Sequence, residues 1–150
     1  MTTLLAEINV DFQPEHQLMG PTPDEITLHF VVASGSLIGP RIELAAVANG
    51  GDEWATIRGD GVIAFESRQV LRSPTGELVR TIVTGVYDAG DDGYIDALDD
   101  VLLARVPAEC AVRFYTTATE YRWLNRRMFV GQGSRDFSRH TLGLRVFALD

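Results

Sequence analysis

No stretch of this chain runs far without a turn signal, and that punctuation limits the folds open to it. Gln13–Asp24 carries Pro14, Gly20, Pro21 and Pro23 and is expected to be a loop. Ser34–Pro40 (SGSLIGP) reads as a turn. Asn49-Gly50-Gly51-Asp52 is expected to reverse the chain, because glycine and asparagine tolerate positive φ. Gly59-Asp60-Gly61 is a tight hairpin signal, and Ser73-Pro74-Thr75-Gly76 turns again. Between these breaks lie alternating runs: Thr3–Val10, Glu25–Ala33, Arg41–Ala48, Trp54–Arg58, Val62–Leu71, Glu77–Tyr87, Ala111–Ala118, Asn125–Gly131 and Thr141–Leu149. One or two helical turns are expected within Ala97–Val106, where Leu98, Val101, Leu102 and Arg105 fit helical spacing. About nine strands with almost no helix imply an all-β antiparallel sandwich or barrel, and the barrel is preferred. No repeat or linker is visible, so residues 1–150 form one domain.

The stretch richest in chemistry is Val112–Gly133, VRFYTTATEYRWLNRRMFVGQG. Alternation places Arg113, Tyr115 and Thr117 on one face of its first strand and Val112, Phe114 and Thr116 on the other. A face with a cation, a phenol and a hydroxyl suits a polar-lined pocket. A barrel of eight or more strands has room for such a lumenal small-molecule pocket.

Composition excludes several classes. The net charge of −8, from 13 basic and 21 acidic residues, repels a phosphate backbone. The one basic grouping, Arg122, Arg126 and Arg127, is small, so nucleic acid is not an expected partner. Cys110 is the only cysteine; it forms no intrachain disulfide or thiolate metal cage and suits a reducing cytoplasm. The N-terminus lacks the basic and apolar regions of a signal peptide, and no apolar run approaches the roughly 20 residues of a membrane span. The expectation is a cytoplasmic protein without a membrane partner.

Two blocks resemble a known family. The first runs from Gly39-Pro40 through Asn49-Gly50-Gly51-Asp52-Glu53-Trp54, Arg58-Gly59-Asp60-Gly61 and Glu66-Ser67-Arg68 to Gly76-Glu77. The second comprises Phe114-Tyr115-Thr116-Thr117, Tyr121-Arg122-Trp123-Leu124-Asn125-Arg126 and Phe129-Val130-Gly131-Gln132-Gly133. In order and spacing these are similar to the bacterial and fungal family of domain of unknown function 3237 (UPF0311-type). The resemblance covers roughly Ser34 to Gly133 and implies a closed antiparallel β-barrel with a lumenal pocket. The chain departs from the family in having Tyr115 in place of an arginine, Glu66 in place of an aspartate, and a shortened loop before Tyr121. The first departure points to a less charged ligand.

The candidate pocket residues are Trp54, Arg58, Arg113, Tyr115, Thr117, Trp123 and Asn125. Trp and Tyr offer flat apolar faces with one hydrogen-bonding edge, fitting an aromatic or polycyclic ligand. Tyr115 is the expected proton donor, with Arg113, Arg58 and Asn125 orienting an enolate or carbonyl. The alternative reading makes the tryptophans core anchors, Asn125 a turn cap, and the arginines partners of Asp60 or Glu66. His29, alternating with apolar neighbours, reads as structural. The acidic run Asp88–Asp99 imitates a calcium loop, but Gly90 occupies a ligand position and Asp99 is short for bidentate binding. His16, His29 and His140 lack zinc spacing, and no phosphate loop, flavin or nicotinamide motif is present. The expectation is therefore no metal and no cofactor. The function expected is a small-molecule-binding barrel acting as a cofactor-independent isomerase, cyclase, hydratase or lyase on an apolar or aromatic carbonyl-bearing metabolite. The alternatives are a non-catalytic carrier and a packed interaction module. A homodimer through strand edges or apolar turns is compatible with the sequence.

Overall fold

The structure is a computed structural model that describes residues 2–99, 101 and 103–149. Eight antiparallel strands close on themselves in sequence order: β1 (Thr2–Met19), β2 (Glu25–Gly39), β3 (Ile42–Arg58), β4 (Val62–Arg72), β5 (Leu78–Asp88), β6 (Val106–Tyr115), β7 (Phe129–Asp136) and β8 (Thr141–Leu149). β8 returns to pair with β1, so no sheet edge is left open. A short helix, α1 (Gly93–Leu98), lies between β5 and β6, and a 3₁₀ segment, Thr119–Arg126, lies between β6 and β7.

The barrel has eight strands, where nine runs were expected. Asn49-Gly50-Gly51-Asp52 does not reverse the chain; it is an irregularity inside β3, which joins the expected third and fourth strands. Between the pairs Ala46↔Leu71 and Gly51↔Gln69, β3 advances five residues while β4 advances two. Asn49, at φ 59, takes the left-handed conformation there. The surplus is odd, so it switches which face points inward: Ile42 and Leu44 are buried before it, Glu53, Ala55 and Ile57 after it. Ser34–Pro40 is likewise mostly strand, as the end of β2 beyond a register shift between Val31 and Ser36. Most of the expected loop Gln13–Asp24 extends β1 to Met19, paired through Leu18↔Leu28 and Met19↔Thr27. The helical turn begins at Gly93 rather than Ala97. The strand expected over Asn125–Gly131 begins at Phe129, because residues 119–126 coil as 3₁₀.

The interior is filled mainly by the alternate residues of each strand. Leu28, Phe30 and Val32 of β2 share one buried cluster with Ile63 and Phe65 of β4, Val79 and Val83 of β5, and Leu142, Leu144 and Val146 of β8. The expected lumenal lining by Arg113, Tyr115 and Thr117 is corrected: all three are exposed, and Val112, Phe114 and Thr116 point inward. The barrel spends its apolar alternates on the core, so the polar alternates of β6 face water.

One end of the barrel carries the β1–β2, β3–β4, β5–β6 and β7–β8 connections. There the β5–β6 segment folds over the opening. Ala89 N–H donates to Gly61 O at 3.0 Å, and Phe137 N–H donates to Leu103 O at 2.8 Å. Gly61 (φ +83) lies so close to Gly90 that a Cβ would sit 1.7 Å from its carbonyl oxygen. Only glycine permits that approach.

Candidate functional site

The ionic centre inside the barrel is built by three residues on three strands. Glu53 of β3 and Arg135 of β7 are both fully buried. Arg135 crosses the lumen: Nε donates to Glu53 Oε2 at 3.0 Å, and Nη2 lies 3.0 Å from the same oxygen. Its Nη1 donates to the carbonyls of Asp136 (3.2 Å) and Thr141 (3.1 Å). The guanidinium is enclosed by Phe12, Phe30 and Phe137, with ring centroids at 4.3, 4.7 and 4.3 Å. Tyr87 of β5 donates its hydroxyl to Glu53 Oε1, and its ring stacks on Phe65 at 3.9 Å. Burial, then the negative charge of Glu53, hold the Tyr87 phenol well above its ordinary value, so it remains a donor.

Each charge of this set is thus paired with the other, as a buried charge requires, although Arg135 Nη2 itself makes no hydrogen bond among the described residues. A second polar belt lies further along the lumen. Gln69 donates to Ser67 Oγ at 3.1 Å, and the neighbouring Thr81 hydroxyl is buried with no hydrogen-bond partner among the described residues.

Next to the Arg135 cage is a narrow cleft at the barrel mouth. Leu18, Ile26, Leu28 and Ile57 of the strands line it with His16, Phe30, Phe137 and the covering residues Ala97, Val101 and Leu103. Its free volume is about 30 Å³. Phe30 and Phe137 belong both to this cleft and to the cage, and Phe137 meets the Tyr87 ring edge-on at 5.8 Å. Two aromatic rings therefore separate the mouth from the Glu53–Arg135–Tyr87 set.

The residues singled out from sequence lie elsewhere and do not form one group. Trp54 is exposed on the outer wall, its ring 4.3 Å from that of His29. His29 in turn bonds Asp52 (2.9 Å) and Gln17 (3.0 Å). Arg58 pairs with Asp60 across the β3–β4 turn at 2.9 Å, and that hydrogen bond holds the Asp60 carboxyl below its usual range. Trp123 is half-buried beneath Arg41. Asn125 holds Thr116 by a pair of 2.8 Å hydrogen bonds, accepting from its N–H and donating to its carbonyl. Arg113, Tyr115 and Asn125 do share a shallow outer hollow, together with Arg80, Arg126 and Arg127. No group of three or more metal-ligating side chains occurs among the described residues. The expected acidic loop serves as cover for the mouth, and Asp88 accepts from Gly90 N–H at 3.0 Å. Among the described residues no helix is long and apolar enough to cross a membrane.

Glu53, Tyr87 and Arg135 went unnoticed in the sequence. The signal was present: each of Glu53 and Arg135 is one charged residue on an otherwise inward face, beside Ala55 and Ile57 in β3 and Phe129 and Gly131 in β7.

Comparison with known proteins agrees with this architecture. Over its full length the chain superposes on a protein of unknown function from Clostridium acetobutylicum, with a TM-score of 0.85 at 18% identity and 99% of that chain covered. A β-barrel-like protein from Acinetobacter baumannii gives 0.80 at 19% identity, covering all of this chain and 97% of the other. An enzyme from Penicillium herquei gives 0.72 at 17% identity, covering all of this chain and 94% of the other. At such identities the likeness is one of fold. Comparison with curated protein sequences gives no match. The model of the family described as protein of unknown function (DUF3237) matches residues 2–149, and this chain belongs to that family.

Proposed function

We propose that the protein binds a small, mainly apolar molecule at the covered mouth of the barrel, whose cleft of about 30 Å³ widens to admit it when the β5–β6 cover lifts. We further propose that it acts there as a cofactor-independent enzyme of the isomerase, cyclase, hydratase or lyase type on a carbonyl-bearing substrate. One observation carries this: an apolar cleft whose inner wall, Phe30 and Phe137, is also the wall of a buried proton donor, carboxylate and guanidinium. Barrel mouths with apolar walls and a few convergent polar groups are common ligand sites. With the phenyl rings rotated aside, the Tyr87 hydroxyl would donate to a carbonyl oxygen and Arg135 would stabilise the charge developing on it. Glu53, released from Tyr87, would accept a proton from carbon. The shared fold with the Penicillium herquei enzyme is in keeping with this reading.

A carrier is the second reading, favoured by the complete burial of Glu53 and Arg135 behind the rings. A ligand held at the mouth without ring movement would never touch them.

The test uses the neutral fluorophore N-phenyl-1-naphthylamine and the variant Ala97→Trp, which fills the mouth from α1. Binding by the wild type and at least tenfold weaker binding by the variant are expected; equal binding by both places the ligand elsewhere and overturns the reading. For the chemistry, aromatic enones are incubated with wild type and Tyr87→Phe, and products are followed by mass spectrometry. Turnover by the wild type that Tyr87→Phe abolishes supports the enzyme; fluorophore binding without product from any enone supports the carrier.

A further inference from the structure

All 13 basic side chains of this acidic protein are arginines, and four of them line a single hollow on the outer wall. Arg80 comes from β5, Arg113 from β6, and Arg126 and Arg127 from the end of the 3₁₀ segment. The chain has 21 carboxylate side chains, yet among the described residues none forms an ion pair with any of the four. Elsewhere Arg58 pairs with Asp60 and Arg68 with Glu66. Arg41, Arg72, Arg105, Arg122 and Arg145 stand without an ion pair among the described residues but do not line this hollow; what distinguishes the four is their convergence. Convergence of like charges is electrostatically costly without a counter-ion.

The hollow is also built, not merely charged. The paired bonds between Asn125 and Thr116 fix the end of the 3₁₀ segment to the end of β6, and so fix where Arg126 and Arg127 start. Arg127 is tied further, donating to the Leu149 carbonyl. Arg80 and Tyr115 are direct cross-strand partners, and the guanidinium lies 5.1 Å from the phenol ring centre. The side chains of Arg113 and Arg126 make no hydrogen bond or ion pair among the described residues and are exposed. Two held arginines thus flank two that are free to close on a ligand, beside an exposed aromatic face. The volume, about 400 Å³, accommodates a molecule of one or two rings.

We infer that this hollow is a binding site for a small oxyanion carried on a flat apolar group, a carboxylate or a phosphate monoester. Arginine forks match both oxyanions through paired N–H donors, and Tyr115 offers the ring a stacking face. The site is on the outer wall, remote in the fold from the covered mouth, and stands whether or not the mouth binds anything.

Isothermal titration of the intact protein at low ionic strength with phenyl phosphate, benzoate and inorganic phosphate tests it. Phenyl phosphate or benzoate should bind with one-to-one stoichiometry. Arg113→Gln/Arg126→Gln should weaken that binding at least tenfold, while Arg145→Gln, at an exposed arginine on β8, should leave it unchanged. Tyr115→Ala should weaken phenyl phosphate more than inorganic phosphate. These substitutions are at exposed positions, and an unchanged melting temperature confirms the fold in each. Failure of both aromatic oxyanions to bind at 10 mM, or equal binding by the Arg113→Gln/Arg126→Gln variant, overturns the inference. Tighter binding of benzoate than phenyl phosphate identifies a carboxylate source; the reverse identifies a phosphate.

Discussion

Removing Arg135 isolates the energetics of the lumen. Arg135→Met keeps most of the side-chain volume inside the cage of Phe12, Phe30 and Phe137 but leaves Glu53 buried without its partner. Breaking a buried pair in this way costs about 3–5 kcal/mol. Two carbonyls, of Asp136 and Thr141, also lose a donor. Glu53→Leu should cost a similar amount, because it strands the guanidinium and deprives the Tyr87 hydroxyl of its acceptor. The double variant no longer holds an unpaired charge. What remains is chiefly the unsatisfied Tyr87 hydroxyl and the Asp136 carbonyl, at about 1–3 kcal/mol for each buried group, together with the part-buried Thr141 carbonyl. The double variant should therefore be no less stable than either single one, with a coupling energy above about 2 kcal/mol. Urea unfolding at pH 7, followed by tryptophan fluorescence and far-UV circular dichroism, measures all four proteins. Single-variant losses that simply add in the double variant would refute the argument, since they would show that neither charge depends on the other.

Two further outcomes follow from local geometry. Burial pushes the Cys110 thiol up to about 11, while an unfolded thiol titrates near 8.5. The folded value is the higher one, so this stabilisation is full below about pH 8.5 and is lost as pH rises towards 11, on the order of 3 kcal/mol in all. Cys110→Ala should flatten the fall in urea midpoint between pH 8 and 10.5, and a wild-type stability that does not fall over that range contradicts the assignment. Gly61→Ala places a methyl group 1.7 Å from the Gly90 carbonyl in a left-handed backbone. It should detach the cover, raising amide hydrogen exchange in residues 89–99 far more than in β8; uniform exchange across both would argue against Gly61 as the anchor.

The fold class was legible because period-two alternation and turn residues act locally, strand by strand. The strand count was not, because Asn-Gly-Gly serves a bulge as well as it serves a hairpin. Only the pairing of Gly51 with Gln69 and of Ala46 with Leu71 distinguishes the two. The same ambiguity hid the interior set. With Trp54, Thr56 and Arg58 taken as one face of β3, the opposite face held Glu53, and nothing in the sequence joins Glu53 to Arg135 across 82 positions. Arg113 and Tyr115 drew attention as a polar face, and they are one; alternation defines a face without saying which side of a closed sheet it occupies. Asn125 followed its alternative reading, spending its amide on the backbone of Thr116.

The irregularity within β3 has a consequence for how this barrel can change over generations. Because its surplus is three residues, losing or gaining one there would invert every side chain of the strand beyond it. Trp54 would swing into the lumen and Glu53 out to water, leaving Arg135 facing an indole. A single-codon deletion at Asn49–Gly51 is thus equivalent to replacing the ionic centre and stranding its cation in one event. Point substitutions can explore the walls gradually, but lineages of this chain should hold the length of that segment fixed for as long as they keep the pair.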